Sequence, residues 1–350
     1  MSEKAAAGTT ALITGTRALV SGATGFLGGH LAQVLHGLGY RVRILVHKRH
    51  RVEHLLALGM EIVEGDLLDT ASLVRATAGQ SLVFHTAGKV TDWGPREEYF
   101  QVNAQGTRNV LAACRESGVG RLVHVSSLSV LGLPRTGETL TEETPYPRTL
   151  PDWYSQSKQA AELVVRGANG EGGLATTVVR PGVIWGPGDI TILPRLADLL
   201  RRRQMILIDG GRNLLGLSHI ESLARGLVLA AESPGAPGEI YHMTDGEEIT
   251  SREAVDALAG VMGVPRARFS LPYGAVYAIA ALIEGAAHLV GSTTPPRMTR
   301  YGVRLVACHC RYDIGKARRQ LGYRPAVAFR EGIRHLSFER RGPALGVEKV

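Results

Sequence analysis

Short aliphatic runs alternate with amphipathic stretches through the first two-thirds of the 350-residue chain. Runs of this length predict strands that are buried on both faces, and the stretches between them have the periodicity of helices. Strands joined by helices pair in parallel and build one sheet covered on both sides, so the sequence predicts an α/β fold with a doubly wound parallel sheet. The predicted strands are 17–21, 41–46, 60–64, 81–85, 121–126 and 175–180, and the predicted helices are 26–38, 51–58, 70–78, 97–117 and 154–168.

A glycine-rich turn, "SGATGFLGGHL", connects the first predicted strand to the first predicted helix. Its glycines, Gly22, Gly25 and Gly28, tolerate backbone angles that other residues avoid and let a ligand approach the main chain. The free N–H groups and the positive dipole end of the helix then attract an anion. This arrangement predicts a Rossmann-type site for a dinucleotide pyrophosphate. The alternative is a turn that only packs the helix closely on the strand.

The pattern loosens after Arg180, where Pro, Gly and Arg become frequent. This change predicts a second, smaller lobe on the substrate side. The stretch "GEIYHMTD" at 238–245 has the composition of a strand that returns to the sheet. We expect a flexible leader at 1–16, a dinucleotide-binding domain at 17–180 that 213–245 rejoins, and a discontinuous substrate-binding lobe at 181–212 and 246–340.

Tyr154 and Lys158 are four residues apart in a predicted helix, so their side chains share one face. An ammonium group beside a phenol favours the phenolate and lowers the tyrosine pKa, which is normally about 10. Such a pair is suited to proton exchange with a substrate oxygen. The spacing alone is common, and a chance amphipathic pair is the alternative.

Several ordered motifs resemble the extended branch of the short-chain dehydrogenase/reductase superfamily, also described as the NAD-dependent epimerase/dehydratase superfamily. They cover about residues 17–335: the glycine turn, "EGDLLD" (64–69), "FQVNAQGTRNVLAAC" (100–114), the Tyr154–Lys158 pair and "RPGVIWGPGD" (180–189). Within that branch, the chain is similar to the 3β-hydroxysteroid dehydrogenase-like group. The segments that carry this likeness are 90–103, "LSHIESLARGLVLAAE" (217–232) and "RYDIGKARRQLGYRP" (311–325).

The resemblance implies a role for each matching residue. Ser127 would hold the substrate oxygen, with Ser126 and Ser129 as the alternatives, and Tyr154 would exchange the proton. Lys158 would hold the nicotinamide ribose. Asn103 would either fix its helix or join a proton relay. The implied cofactor-binding residues are Gly22, Gly25, Phe26, Leu27, Gly28, Asp66, Leu67, Ala87, Lys158, Pro181 and Val183.

The end of the second predicted strand indicates which cofactor is preferred. Val46 stands where the extended branch often carries an aspartate for the ribose hydroxyls of NAD, and His47, Lys48 and Arg49 follow it. Cations without a carboxylate suit the 2′-phosphate of NADP. The sequence therefore favours NADP over NAD, although these cations are also compatible with a solvated surface loop.

The resemblance implies hydride transfer to a ketone, or from the secondary alcohol. Sugar-nucleotide enzymes of the branch place an arginine where Leu215 stands here, although Arg212 is nearby. We therefore expect an NADP(H)-dependent oxidoreductase acting on a mainly apolar substrate, such as a 3-oxo acid, a steroid-like ketone or a natural-product ketone. The alternatives are an NAD-dependent sugar-nucleotide epimerase or dehydratase and a cofactor-binding sensor without activity.

Composition limits the partners of the chain. The formal net charge is +8, but the basic runs are scattered and no recognition helix accompanies them, which argues against nucleic acid. An odd cysteine count, Cys114, Cys308 and Cys310, indicates a reducing, cytoplasmic setting, and "CHC" lacks the spacing of a zinc site, so no metal is expected. No spanning helix is expected. The aliphatic stretch 273–291 suggests a pocket wall, a membrane-surface contact or a core helix, and the resemblance implies a homodimer.

Overall fold

The computed structural model describes residues 15–47 and 52–336. Most of the predicted leader lies outside the described residues, as do Lys48 and Arg49. Where the first 180 residues are described, the predicted strands and helices agree with the observed bounds to within two residues, except that the helix predicted over 97–117 is divided and the short strand at Thr139–Leu140 was not predicted. Among the described residues no helix is long and apolar enough to cross a bilayer.

The strands are β1 (Arg17–Ser21), β2 (Arg41–Val46), β3 (Glu61–Glu64), β4 (Leu82–His85), β5 (Arg121–Val125), β6 (Thr139–Leu140), β7 (Ala175–Pro181), β8 (Val183–Trp185), β9 (Ile206–Ile208), β10 (Leu214–Leu215), β11 (Leu217–His219), β12 (Ile240–Met243), β13 (Ile249–Thr250), β14 (Phe269–Leu271) and β15 (Arg311–Tyr312). The helices are α1 (Phe26–Gly37), α2 (Glu53–Ala57), α3 (Thr70–Thr77), α4 (Arg96–Tyr99), α5 (Gly106–Glu116), α6 (Trp153–Gly167), α7 (Leu193–Arg201), α8 (Ile220–Glu232), α9 (Ser251–Met262), α10 (Tyr273–Leu289), α11 (Arg300–Ala307), α12 (Gly315–Leu321) and α13 (Phe329–Gly332).

Seven of these strands form one parallel sheet in the order β12-β7-β5-β4-β1-β2-β3. The strand order reverses between β1 and β4, so the loops that follow these two strands diverge and leave a crevice at their carboxyl ends. Ligands of doubly wound sheets bind at such a reversal. The predicted α/β class and doubly wound sheet are confirmed, and the strand expected within 238–245 is β12.

The sheet is covered on both faces because alternate strand residues point to opposite sides. In β1, Ala18 and Val20 belong to one buried cluster with α1 and α8, whereas Leu19 belongs to a second cluster with α3, α5 and α6. This period of two is what fully apolar strands require. A third cluster, around Trp185 and Leu258, is the core of the segments that follow β7. The domain boundaries drawn from the sequence stay a prediction.

The helix predicted over 97–117 is interrupted. A π-helical turn at Phe100–Gln105 separates α4 from α5. Such turns often mark functional positions, and this one contains Asn103. Apolar periodicity does not reveal the turn, in which Asn103 bonds to Lys89 in the loop after β4.

Gly28→Ala is expected to destabilise the protein. The added Cβ would lie 2.3 Å from the carbonyl oxygen of Gly22, a backbone atom that cannot swing aside. Overpacking of this kind costs about 1–3 kcal/mol. The matched control is Gly37→Ala in the same helix, where a Cβ meets open space and is expected to be neutral or stabilising by up to about 1 kcal/mol. Urea unfolding measures both, and a G28A variant as stable as the wild type would contradict the tight contact.

Candidate active site

The glycine turn, residues 22–28, fits a dinucleotide because its residues pack so closely against neighbouring backbone that side chains would not fit, which leaves the main chain open to a ligand. Gly22 has φ +76°, and a Cβ there would lie 2.8 Å from the backbone of Ala87 at the end of β4. Gly28 lets the carbonyl of Gly22 approach the first turn of α1. Gly25, the N-cap of α1, makes no side-chain capping hydrogen bond within the described residues. The main chain at Phe26 and Leu27 therefore offers N–H groups and a positive helix end to a pyrophosphate.

The predicted adenosine end of the site lies beyond β2 and β3. His47 Nδ1 is 3.1 Å from Asp66 Oδ2, and both side chains are exposed. The carbonyl oxygen of Leu67 accepts a hydrogen bond of 2.8 Å from Asn109 Nδ2, which fixes that loop against α5. Val46, at the end of β2, is buried. His47 thus lies beside a carboxylate, whereas Lys48 and Arg49 lie outside the described residues.

Ser127 and Tyr154 come together from two different elements. Ser127 caps a 3₁₀ turn after β5, and its Oγ accepts a bond of 3.1 Å from the Ser129 N–H. Tyr154 is in the first turn of α6, where Asp152 caps the helix by accepting a bond of 2.7 Å from the Ser155 N–H. Burial raises the pKa of the Tyr154 phenol to about 12, against an opposing hydrogen-bond effect of Ser127. The phenol therefore keeps its proton at neutral pH.

Lys158 is buried one helical turn after Tyr154, as the spacing predicts. Its Nζ donates a bond of 2.6 Å to the carbonyl oxygen of Val125 at the end of β5. Burial lowers the pKa of Lys158 to about 8, and the Glu162 carboxylate acts in the opposite direction. The Tyr154 pKa is raised by burial, and not lowered by Lys158 as expected, and the nearby Asp152 carboxylate raises it further.

Glu162 was not predicted as a site residue, although it continues the same helix face at i+4 from Lys158. Its side chain is fully buried and forms an ion pair with Arg180 of β7, with Oε1 2.6 Å from Nη2. Tyr146 donates a bond of 2.6 Å to the same carboxylate, and Ser126 also donates to it. A carboxylate four residues after a lysine is a weak sequence signal, since most such pairs are solvated.

Three serines were candidates for holding the substrate oxygen, and their surroundings differ. The Ser126 hydroxyl is used by Glu162. The Ser129 hydroxyl is buried without a hydrogen-bond partner among the described residues. Ser127 is the serine whose hydroxyl acts on the Tyr154 phenol, which favours the predicted choice of Ser127.

Asn103 lies in the π-helical turn and joins two parts of the site. Its Oδ1 accepts a bond of 2.7 Å from the Lys89 N–H, and its Nδ2 donates to the Lys89 carbonyl at 3.1 Å and to Ser157 Oγ at 2.9 Å. Ser157 in turn donates to the carbonyl oxygen of Tyr154 at 2.8 Å. These bonds tie the loop after β4 to α6 and favour the structural one of the two predicted roles.

Two buried histidines face the lysine, and sequence reasoning missed both. His85 Nδ1 lies 2.9 Å from Ser21 Oγ and Nε2 lies 3.0 Å from Thr107 Oγ1. The His124 ring lies 5.3 Å from the His85 ring, and its nitrogens have no partner among the described side chains and backbone. Burial, assisted by the charge of Lys158, lowers the pKa of His85 to about 3 and that of His124 well below its usual value. Both rings are therefore neutral.

The segment after β7 closes the site on another side. The Gly182 N–H donates a bond of 2.9 Å to Ser218 Oγ, and the Val183 N–H donates one of 2.7 Å to the Gly216 carbonyl. Pro181 ends the strand, so the chain turns away from the sheet here. Because the Val183 N–H is engaged by Gly216, a carboxamide at this position would have to bond to other groups of the segment.

Helix α11 lies against Tyr154. The Tyr301 ring meets the Tyr154 ring edge-on, with 5.6 Å between the centroids. Leu215, which replaces the arginine of sugar-nucleotide enzymes, packs against the third core cluster. Arg212 lines a separate cavity of about 180 Å³ with Arg135 and His309. The side chain of α11 that contacts Tyr154 is thus the aromatic ring of Tyr301, and Arg212 lines a different cavity.

Known proteins with the same architecture share most of the length of the chain. It is 36% identical over 324 residues to a 2-alkyl-3-oxoalkanoate reductase of Stenotrophomonas maltophilia (strain K279a), covering 91% of the chain and 97% of the relative. It is 34% identical to a 4-hydroxy-2-methyl-3-oxo-4-farnesyl-3,4-dihydroquinoline-1-oxide ketoreductase of Stigmatella aurantiaca, covering 94% and 97%. The crystal structure of gox2253 superimposes with a TM-score of 0.73 at 30% identity, covering 91% and 96%.

A family match agrees with these relatives. The 3-beta hydroxysteroid dehydrogenase/isomerase family matches residues 19–267, which include the glycine turn, the three serines and the Tyr154–Lys158 pair. Its members are extended short-chain dehydrogenases/reductases that depend on a nicotinamide dinucleotide and act on CH–OH groups. The chain belongs to the 3-beta hydroxysteroid dehydrogenase/isomerase family and is an NAD(P)-dependent oxidoreductase.

Proposed function

We propose that the chain is an NADP(H)-dependent ketoreductase that reduces a ketone on a mainly apolar molecule, or oxidises the matching secondary alcohol. The observation that carries the proposal is that Ser127 acts on the Tyr154 phenol, while Lys158, one turn further along α6, reaches the end of β5 and Tyr301 lies edge-on to the phenol ring. Three groups with complementary proton chemistry on one side of a dinucleotide site suit carbonyl reduction.

The cofactor would be held along the crevice between β1 and β4. The glycine turn with Phe26 and Leu27 would hold the pyrophosphate, while Asp66 and Leu67 would border the adenine. His47, Lys48 and Arg49 would meet the 2′-phosphate. Ala87, Pro181 and Val183 would border the nicotinamide, and Lys158 would hold its ribose hydroxyls.

In the proposed reaction, the bound dihydronicotinamide supplies the hydride. Tyr154, which is protonated at neutral pH because burial raises its pKa, donates a proton to the ketone oxygen. Ser127 donates a hydrogen bond to the same oxygen and stabilises the charge that develops there. Lys158, as an ammonium, would stabilise the negative charge that remains on the phenol oxygen after the proton has left. The oxidation of the alcohol uses the same groups in reverse.

An apolar ketone is favoured over a sugar nucleotide. Tyr301 supplies an apolar ring beside Tyr154, and Leu215 gives no positive charge where a diphosphate would need one. The two relatives named above are reductases of a 2-alkyl-3-oxo acid and of a farnesylated quinoline ketone. We therefore take 2-alkyl-3-oxo acids as the first substrate class to test, with UDP-glucose as the sugar-nucleotide comparison.

Tyr154→Phe is expected to lower kcat for ketone reduction by about 10²–10⁴-fold, because the variant has no proton to give the oxygen. The Kd for NADPH should stay within about threefold, since the ring keeps its packing. Stopped-flow oxidation of NADPH measures the first quantity, and quenching of protein fluorescence measures the second. Tyr40→Phe is the control. Tyr40 lies just before β2, at the amino edge of the sheet, and its hydroxyl donates a hydrogen bond to Glu232. A Y154F variant with wild-type kcat would remove Tyr154 from the mechanism.

The cofactor preference rests on the cations after β2. Replacing Lys48 and Arg49 with alanine is expected to weaken NADPH binding by about 10–10²-fold, because a charge-assisted hydrogen bond contributes roughly 1.5–3 kcal/mol. NADH binding should change little. The control removes two exposed arginines elsewhere, Arg324→Ala with Arg330→Ala, and should leave both affinities unchanged. Equal loss for NADPH and NADH, or tighter NADH binding by the wild type, would contradict the preference.

The alkaline limb of the pH profile should belong to Lys158. Its folded pKa is lowered to about 8, so the ammonium is present below that pH and is lost as the pH rises through it. We expect kcat/KM for NADPH, which reports ionisations of the free enzyme, to fall tenfold per pH unit above about 8. In Lys158→Arg the charge persists, so the remaining activity should show no fall near pH 8. An unchanged limb in K158R would assign the fall to another group.

A further inference from the structure

The CHC segment, residues 308–310, has no part in the proposed reaction, yet it brings two thiols together. Cys308 is the C-cap of α11, and Cys310 comes directly before β15. Both side chains are buried, and their Sγ atoms are 3.4 Å apart. An approach of about 1.4 Å would bring the two sulfur atoms to the disulfide bond length of about 2.05 Å.

The main chain on both sides of the segment holds the sulfur atoms in place. The His309 N–H donates a bond of 2.9 Å to the Pro134 carbonyl, and the Gly137 N–H donates one of 2.7 Å to the His309 carbonyl. His309 Nδ1 accepts a bond of 3.1 Å from the Leu214 N–H of β10. The residue between the two cysteines is therefore fixed by three hydrogen bonds, and the thiols that flank it stay in contact.

The surroundings of the two thiols differ, and the difference assigns the reactive one. The Cys308 thiol donates a bond of 3.2 Å to the Pro134 carbonyl, so the hydrogen atom between the two sulfurs belongs to Cys310. This bond from Cys310 lowers the pKa of Cys308 against the effect of burial, and Tyr312 and Arg304 act in the same direction. The same bond, together with burial, raises the pKa of Cys310. Because the thiolate is the nucleophile, Cys308 reacts first.

We propose that Cys308 and Cys310 are a reversible oxidation site, at which hydrogen peroxide converts the two thiols into one disulfide. The Cys308 thiolate attacks a peroxide oxygen and the O–O bond breaks, which leaves a sulfenic acid and a hydroxide that takes the Cys308 proton to form water. The Cys310 sulfur then attacks the Cys308 sulfur, and hydroxide leaves with the Cys310 proton as a second water. Two electrons pass from the sulfurs to the peroxide.

A small oxidant has a route to the pair. The cavity of about 180 Å³ is lined by Ala307 and His309, the two chain neighbours of Cys308. This volume is several times the share of one water molecule, which is about 30 Å³ in the liquid. Hydrogen peroxide, with two oxygen atoms, therefore fits beside the segment.

A metal ion suits the two thiols less well than oxidation does. A structural zinc ion takes four ligands, whereas residues 15–47 and 52–336 contain no group of three or more His, Cys, Asp or Glu side chains that could hold a metal. A disulfide requires only the two sulfur atoms that are already in contact.

The bridge should be easy to reduce. It closes a loop with a single residue between the cysteines, so it gains little from loop closure. Strained disulfides have more oxidising potentials and are the labile ones. In the reducing setting that the cysteine content predicts, disulfides are usually transient and redox-sensing. We therefore expect dithiothreitol to restore both thiols.

The pair also touches the two elements that carry the proposed proton chemistry. Cys308 caps α11, whose Tyr301 contacts Tyr154. Both cysteines pack in one cluster with Leu128 of the 3₁₀ turn that Ser127 caps. Drawing the sulfurs together should displace both elements and slow ketone reduction. This effect on the rate rests on the proposed function, whereas formation of the disulfide does not.

The test is peptide mass spectrometry of the full chain after treatment with hydrogen peroxide and alkylation of the remaining thiols. Trypsin releases Cys308 and Cys310 together in residues 305–311, and Cys114 in residues 109–115. We expect 305–311 to lose the mass of two hydrogens and to take no alkyl group, and dithiothreitol to reverse both changes. Cys114 is the internal control, because burial raises its pKa to about 12 and it should stay open to alkylation after unfolding.

Single variants test the order of the two steps. In Cys310→Ser the sulfenic acid has no partner, so dimedone should label Cys308. In Cys308→Ser the oxidation of Cys310 should be at least about tenfold slower than that of the wild-type pair. Cys114→Ser should form the disulfide as the wild type does. Three outcomes overturn the proposal: a peptide 305–311 without an internal disulfide, oxidation of Cys114 at the same rate, or a bond between two chains on a non-reducing gel.

The oxidation of NADPH with a ketone separates this proposal from the proposed function. We expect the oxidised wild type to have a kcat at least about threefold lower than the reduced form, since small displacements of catalytic groups are costly. Cys308→Ser with Cys310→Ser should keep its rate through the same peroxide treatment. A protein that forms the disulfide and reduces no ketone would contradict the proposed function alone. A protein that reduces ketones and forms no disulfide would contradict the oxidation site alone.

Discussion

A salt bridge without access to water fixes the helix on which the proposed chemistry depends. Glu162 and Arg180 are 0% and 1% exposed at the side chain, and withdrawing two charges from water costs several kcal/mol unless other hydrogen bonds offset the loss. Here Tyr146 and Ser126 supply them from two further segments. The pair therefore fixes the position of α6 on the sheet more than it adds stability. All of its bonds form only when α6, β7 and the end of β5 have one relative arrangement.

The Glu162–Arg180 ion pair also positions Tyr154 and Lys158, because all three residues of α6 lie on one face of the helix. Tyr154, Lys158 and Glu162 follow one another at four-residue intervals, so one face of α6 carries the phenol, the ammonium and the carboxylate in that order. With the carboxylate anchored to the sheet, the ammonium is brought to the Val125 carbonyl and the phenol to the Ser127 hydroxyl. The two histidines behind the lysine stay neutral, and they add no positive charge to the one that Lys158 carries.

What the sequence predicted, and what it did not, follows the range of the interactions involved. The strands, the helices and the glycine turn depend on local pattern and on backbone freedom, and they were predicted. The π-helical turn at Asn103 was not, because apolar periodicity carries no sign of it and the bonds of Asn103 to Lys89 form only in the folded loop. Glu162 was not predicted, because only the fold places Arg180 beside it. The pKa of Tyr154 is raised, against the predicted direction, because helix spacing indicates a neighbouring charge but does not show the burial of the phenol.

The segments that follow β7 show the same limit. Their aliphatic helix was compatible, in the sequence, with a pocket wall, a core helix or a surface contact, since composition does not say which side of a helix is covered. In the fold, Glu284 faces inward to Arg300 and the leucines at 282 and 289 face outward. Orientation thus turns an ambiguous apolar segment into a helix with one buried and one exposed apolar side. The helix next to it, α11, brings Tyr301 to the phenol of Tyr154. Two adjacent helices of similar apolar content therefore have different surroundings, one against the proposed proton donor and the other facing solvent, and only the fold distinguishes them.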